Sequence, residues 1–285
     1  MGQSMFIVWR ESVEALLVIG ILHAWLRQQP DNRAAMRLLW SGVAAGLGLA
    51  ALLGWALIGA GQWMAGSGGE WFQCSMVFAA SLLILHMVGW MHHHGRHLKR
   101  DLQRDAAARL GQGSGLGLMV LAMLAVAREG SETVVFLMGI GAQQDGADLG
   151  RFALGGLLGF ALALASYALL QAGSRFIAWR TFFRASEVML LLLGSALLMA
   201  GLDRLSGLLM GMDVPEFVYA WFGDALWDTS ALLDDGSALG GTLASLTGYR
   251  AMPSAVAVAT LAAYWAVALY WLRPRATALP AASAA

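Results

Sequence analysis

Seven stretches of about twenty mostly apolar residues recur along the chain, at roughly 4–26, 38–60, 71–91, 115–140, 152–172, 182–202 and 254–272, each long enough for a helix to cross a bilayer core. A backbone in hydrocarbon must satisfy its own polar groups, so these runs predict α-helices and an all-α, polytopic membrane fold. No proline falls inside any of them. Composition agrees: 59% of the 285 residues are apolar and 13% charged, outside the range of water-soluble domains. The chain, 1–285, therefore reads as one membrane domain with the lipid bilayer as its solvent. Acids and bases cancel to a formal charge of zero, and no basic block is interleaved with aromatics, which excludes a nucleic-acid partner. Cys74, the single cysteine, lies in an apolar run and is expected to pack as a small hydrophobe. The first run has neither a basic n-region nor a small-residue cleavage site, so it is expected to remain in the mature protein.

Cytoplasmic loops hold the excess of Lys and Arg, which sets the orientation. Arg27, Arg33 and Arg37 follow span one; Arg96, Lys99, Arg100, Arg104 and Arg109 follow span three; Arg175, Arg180 and Arg184 follow span five; Arg273 and Arg275 follow span seven. The opposite side receives Arg151, Arg204 and Arg250 together with Glu70, Asp145, Asp148, Asp203, Asp213, Glu216, Asp224, Asp228, Asp234 and Asp235. The expected topology is N-terminus outside and C-terminus cytoplasmic. An acidic outer face concentrates cations, although outer loops poor in Lys and Arg look the same.

The first three spans resemble the next three in order of features. Arg10-Glu11-Ser12-Val13-Glu14 answers to Arg128-Glu129-Gly130-Ser131-Glu132, Gly42-x-x-x-Gly46 to Gly155-x-x-x-Gly159, and Phe72 to Ser75 to Phe183 to Ser186. Units of three crossings enter the membrane from opposite sides, so the expectation is an inverted 3+3 repeat, about 4–91 and about 115–202. An outer loop of about 203–253 and a seventh helix of about 254–272 complete it. The glycine pairs are expected to serve close helix packing.

Glu11 and Glu14 share a helical face, and Arg10 lies one turn from Glu14; Glu129, Glu132 and Arg128 repeat the pattern. An Asp, Lys or Arg at a helix centre costs about 2.5–3.5 kcal/mol to insert, so these six side chains must face one another or water. Pairing each Arg with one Glu would give two buried salt bridges and leave one carboxylate per helix over. Four carboxylates and two guanidiniums sum to −2, and carboxylate oxygens suit hard cations. The expectation is an oxygen-rich cation site between spans one and four.

Paired Arg-Glu-x-x-Glu motifs in spans one and four of a seven-span chain resemble the oxidase-dependent iron permease family of fungi and bacteria. The resemblance runs along nearly the whole chain, because Trp227-Asp228-Thr229-Ser230, Gly248-Tyr249 and Pro253 before span seven are similar to its bacterial branch. It implies a permease, not an enzyme, that carries iron inward across a bacterial cytoplasmic (inner) membrane. Glu11, Glu14, Glu129 and Glu132 would bind iron in passage with Arg10 and Arg128 as charge partners. Iron would be cargo rather than a permanently bound cofactor, delivered by a periplasmic oxidase or iron-binding partner protein. Ser12 stands where the family usually has Gly, and no acidic cluster of the fungal type follows span seven. The residues alone leave open another divalent metal such as manganese or lead, and a membrane scaffold whose Arg-Glu pairs only hold helices together.

Glu187 lies about a turn inside span six and fits either a further ligand or a surface pair with Arg184 or Arg180. His92, His93, His94 and His97 follow span three in a basic stretch that reads as a solvated loop, with metal capture as the lesser role. His23 and His86 stand alone near span ends. The segment of about 203–253, with Phe217 to Phe222 and Trp227, is expected to form a short helix at the membrane interface, its acids a possible landing place for iron from a partner.

Overall fold

A computed structural model describes residues 1–29, 32–64, 66–94, 98–111, 116–141, 147–171, 179–212 and 214–273. Asp145, Asp213, Arg96, His97, Arg175 and Arg275 lie outside the described residues, as do the side chains of His93, His94, Lys99, Arg180 and Phe183. The described residues form ten helices: α1 (Gly2–Leu26), α2 (Asn32–Trp63), α3 (Ser67–His94), α4 (Leu98–Gly111), α5 (Leu116–Gly141), α6 (Ala147–Gln171), α7 (Trp179–Met210), α8 (Glu216–Phe222), α9 (Ala238–Thr247) and α10 (Ala255–Leu272).

Five of these, α2, α3, α6, α7 and α10, are long and apolar enough to cross a membrane. The first and fourth expected spans correspond to α1 and α5, of 25 and 26 residues. At 1.5 Å per residue each is about 38 Å long, enough for a core of about 30 Å. What sets them apart from the other five is three ionisable side chains in mid-helix. Their burial pattern shows how these are accommodated. Arg10 and Glu11 rank among the buried residues of α1, whereas α2 turns Trp40, Leu47, Leu52, Trp55, Ile58 and Trp63 outward. Charge is kept inside, and apolar surface covers it.

Hydrophobicity does not drive helix association in lipid, so close approach and interhelical hydrogen bonds have to hold the bundle. Helix α2 lies along α5, α1 along α6 and α3 along α7, with α1 also meeting α5. A Cβ on Gly42 or Gly46 of α2 would strike the carbonyl oxygen of Met119 or Met123 on α5, and one on Gly155 or Gly159 of α6 would strike that of Met1 or Met5 on α1. The packing role expected of these glycines is what the structure shows. Ser4 Oγ donates to Phe152 O at 2.9 Å, Ser81 Oγ to Gly194 O at 2.8 Å and Tyr264 OH to Leu191 O at 2.9 Å, joining α1 to α6, α3 to α7 and α10 to α7.

Three elements differ from the expectation. The basic stretch after span three is not all loop: α4 packs on α1 and α5, with Ala106 fully buried beside Leu22, Leu26 and Leu118. Its apolar residues at 102 and 106 are four apart, a helical spacing diluted by surrounding charge. Helix α7 runs on to Met210, past the expected 202, because Leu205, Leu208 and Leu209 continue the helix beyond Asp203 and Arg204. The segment between α7 and α10 holds two short helices rather than one. Ser237 caps α9 by accepting from Gly240 N at 3.0 Å, and Gly248 ends it at φ +79°, where a side chain would be strained and would crowd Ser195 O. Thr229 N donates to Ala251 O at 2.9 Å, Tyr249 OH to Leu233 O at 2.9 Å and Arg250 Nη2 pairs with Asp203 at 2.6 Å. The Ser230 hydroxyl and N–H hydrogen-bond Asp228 and hold its carboxyl below the usual range. The residues Trp227 to Ser230 and Gly248-Tyr249 thus include the stitches of this segment.

Replacing Gly46 by Leu is expected to lower stability by about 1–3 kcal/mol or abolish accumulation in the membrane. Gly48→Leu, on the same helix but with open space around it, is expected to be neutral. Thermal unfolding of the detergent-solubilised variants checks both.

Candidate functional site

The two charged motifs occupy the middle of uninterrupted helices, where 3.6 residues per turn decides which side chains meet. On α1, Arg10 Nη2 lies 2.7 Å from Glu14 Oε1, the i,i+4 pair the spacing predicts. Arg10 Nη1 also donates to Glu11 Oε1 at 2.7 Å. Both Arg10 and Glu11 are 1% exposed. On α5, Arg128 Nε donates to Glu132 Oε1 at 3.0 Å, again i,i+4, but Arg128 is 37% exposed. Thr133 and Ser131 donate their hydroxyls to the Glu129 and Arg128 carbonyls, each at 2.8 Å, so both are engaged with their own helix.

Since α1 packs on α5, the two motifs share one interior. A carboxylate oxygen from each of Glu11, Glu14 and Glu129 lies within 4.8 Å of the others. Glu132 stands outside that trio, held by Arg128. Three acids at this range repel by about 3 kcal/mol per pair at an effective dielectric of 20. The opposing charge is Arg10, and it does not saturate the site. Glu11 Oε2, Glu129 Oε2 and Glu132 Oε2 are buried without hydrogen-bond partners, and the Glu14 Oε1 ion pair with Arg10 falls short of hydrogen-bond geometry. Unmatched acceptors in low dielectric favour a cation. An octahedral hard cation holds its oxygens at about 2.1 Å, so opposite ligands are about 4.2 Å apart. At most one pair among three ligands can be opposite, so the trio would have to draw in from its spacing of up to 4.8 Å to hold such an ion.

Helix α3 supplies contacts that the two motifs do not reveal. Arg10 Nη1 and Nη2 donate to the sulfurs of Met87 and Met91 at 3.3 and 3.2 Å, and the Arg128 guanidinium carbon lies 4.1 Å from the centroid of a Trp90 ring. The i, i+3, i+4 spacing of 87, 90 and 91 places them on one face, but thioethers and an indole in an apolar run look like packing. Glu187 of α7 lies 3.9 Å from His92 Nδ1; among the described residues this pair, not one with Arg184, is its ionic contact. His92 itself lies in the last turn of α3 rather than in a loop, because α3 continues to His94. His23 rests edge-on to Trp40, and His86 is exposed.

The chain matches the iron permease FTR1 family over residues 1–283. It belongs to that family. Among curated relatives, it is similar to the ferrous iron permease EfeU of Shigella sonnei (strain Ss046), 28% identical over 290 residues and covering 98% of each chain. The ferrous iron permease EfeU of Escherichia coli O6:K15:H31 (strain 536 / UPEC) is 28% identical over 284 residues, 95% of this chain and 96% of the relative. That of Yersinia pestis is 26% identical over 283 residues, 98% and 96%. No solved structure matches. As a member of an iron permease family with a bundle of apolar helices, the protein is a multi-pass membrane transporter and not an enzyme.

Arg10→Gln leaves Glu11 and Glu14 without their counter-charge and is expected to cost about 3–5 kcal/mol. Arg128→Gln, which removes a guanidinium paired to one carboxylate rather than two, is expected to cost less. Unfolding temperatures of the two purified variants should fall in that order.

Proposed function

We propose that this permease carries iron inward across a bacterial cytoplasmic membrane through a transient site made by Glu11, Glu14 and Glu129, with Glu132 joining as the ion moves. The observation that carries the proposal is the convergence of three carboxylates from α1 and α5 on one point beside a single guanidinium. Three carboxylates and Arg10 sum to −2, which balances one divalent ion, and the relatives' names specify ferrous iron. Arg10 supplies the counter-charge to Glu11 and Glu14 until the metal arrives, and a carboxylate then turns from guanidinium to ion. Iron is cargo here, with no resident cofactor required. A scaffold whose Arg-Glu pairs only hold helices would not leave buried carboxylate oxygens unmatched.

Seven spans follow once α1 and α5 are counted with the five apolar helices, since their charges face inward. The inverted repeat is supported by contacts. Exchanging α1 with α5, α2 with α6 and α3 with α7 carries the α2–α5 pair onto α6–α1 and leaves α3–α7 and α1–α5 unchanged. It also carries Gly42 on Met119 to Gly155 on Met1, and Gly46 on Met123 to Gly159 on Met5. With an N-terminus outside and a cytoplasmic C-terminus, α8 and α9 face the periplasm, where a separate oxidase or iron-binding protein would deliver the ion.

Glu14→Ala and Glu129→Ala, at matched membrane abundance, are each expected to reduce radioactive iron uptake into proteoliposomes to background. Uptake at the wild-type rate in both would remove the carboxylates from the pathway, and competition by manganese and lead in the same assay ranks the metals. Topology has its own test. With buried Cys74 replaced by Ala, a thiol at Asp224→Cys should react with an impermeant reagent from outside intact cells, and one at Arg104→Cys should not.

A further inference from the structure

The two motifs are alike in sequence and unlike in arrangement. Arg10 is bound to both of its carboxylates, Glu11 and Glu14, whereas Arg128 is bound to Glu132 alone. Among the described residues Glu129 has no ion pair with a guanidinium, and its Oε2 is buried without a partner. Backbone geometry does not account for the difference, because both motifs sit in regular helix with the same spacing. What differs is the surface each guanidinium meets on α3. Arg10 meets two thioether sulfurs, which are weak acceptors along its N–H directions and leave it centred on its own acids. Arg128 meets the Trp90 ring, whose negative face attracts the cation as a whole. Aligning Phe72 to Ser75 with Phe183 to Ser186 places Leu198, Gly201 and Leu202 of α7 at the positions of Met87, Trp90 and Met91. These offer neither sulfur nor aromatic face. One helix therefore holds both arginines, and the repeat's symmetry is broken at that point.

From this we infer that Trp90 is a positioning residue of the permease: by holding Arg128 over its ring, it keeps that guanidinium off Glu129 and so leaves Glu129 open to the metal. The inference rests on the carboxylate site proposed above. Without the indole face, Arg128 is free to take the double pairing seen at Arg10. The charge felt by an ion among Glu11, Glu14 and Glu129 then falls from −2 to −1, and a divalent cation binds less well.

The test is equilibrium binding of ferrous iron, under anaerobic conditions, to the purified full chain. Trp90→Leu should raise Kd roughly two- to thirtyfold, the range of factors that a cation–π contact holds. Trp90→Phe, which keeps an aromatic face, should recover most of the loss. The decisive comparison is in an Arg128→Gln background, where Trp90→Leu should have no further effect. A wild-type Kd in Trp90→Leu, or an equal weakening that persists in Arg128→Gln, overturns the inference and leaves Trp90 a packing residue. Glu129→Gln is measured alongside. If it binds iron as the wild type does, the carboxylate site itself fails; if it loses binding while Trp90→Leu does not, only the role of Trp90 fails.

Discussion

A guanidinium enclosed in a bundle of apolar helices is the constraint from which the rest of this structure follows. Arg10 is 1% exposed and cannot shed its proton, so its surroundings must neutralise it. Glu11 and Glu14 do so from its own helix, and Met87 and Met91 supply soft acceptors from α3. Once these groups are gathered, α1 can no longer face lipid. It is enclosed by α5, α6 and the α3 side chains, with α2 and α6 presenting the apolar surface instead. The second motif draws α5 into the same interior, and the apposition of the two helices is what creates a surplus of negative charge between them.

That surplus was legible in the sequence because ionised residues in apolar runs have few physical options. The spacing of Arg10 and Glu14, and of Arg128 and Glu132, gave the two i,i+4 pairs, and the apolar runs gave the long helices. The glycine pairs were legible for a related reason, since a residue without a Cβ at four-residue intervals signals a backbone neighbour. Other parts were hidden. Met87, Trp90 and Met91 act through a sulfur lone pair and a ring face, which sequence patterns do not separate from ordinary core. Helix α4 was masked by its own charges, and the Glu187 contact with His92 joins residues 95 positions apart that no local pattern relates. The motif pattern also placed all four glutamates on equal terms. The structure separates them: Glu132 is held by a guanidinium, while Glu129 has no such ion pair among the described residues.

The site and the bundle use different physics. The bundle is held by shape, with glycines seated on carbonyls and hydroxyls donating across helix pairs; the site is held by charge, with long side chains that have several rotamers each. In the proposed pathway, these rotamers give the carboxylates the freedom to close on an ion and release it. The acidic segment between α7 and α10 is stitched by hydrogen bonds from Thr229 N and the Tyr249 hydroxyl, so its carboxylates are carried on a defined frame rather than a loose loop.

The glycine contacts have a mechanical corollary. Where backbone rests on backbone, no side chain is available to yield, so α1 with α6 and α2 with α5 can shift only as welded pairs. The seam between α1 and α5, by contrast, includes glutamate and arginine side chains several bonds long. That seam also carries the charges, so a movement of one pair against the other would pass through Arg10, Glu11, Glu14 and Glu129.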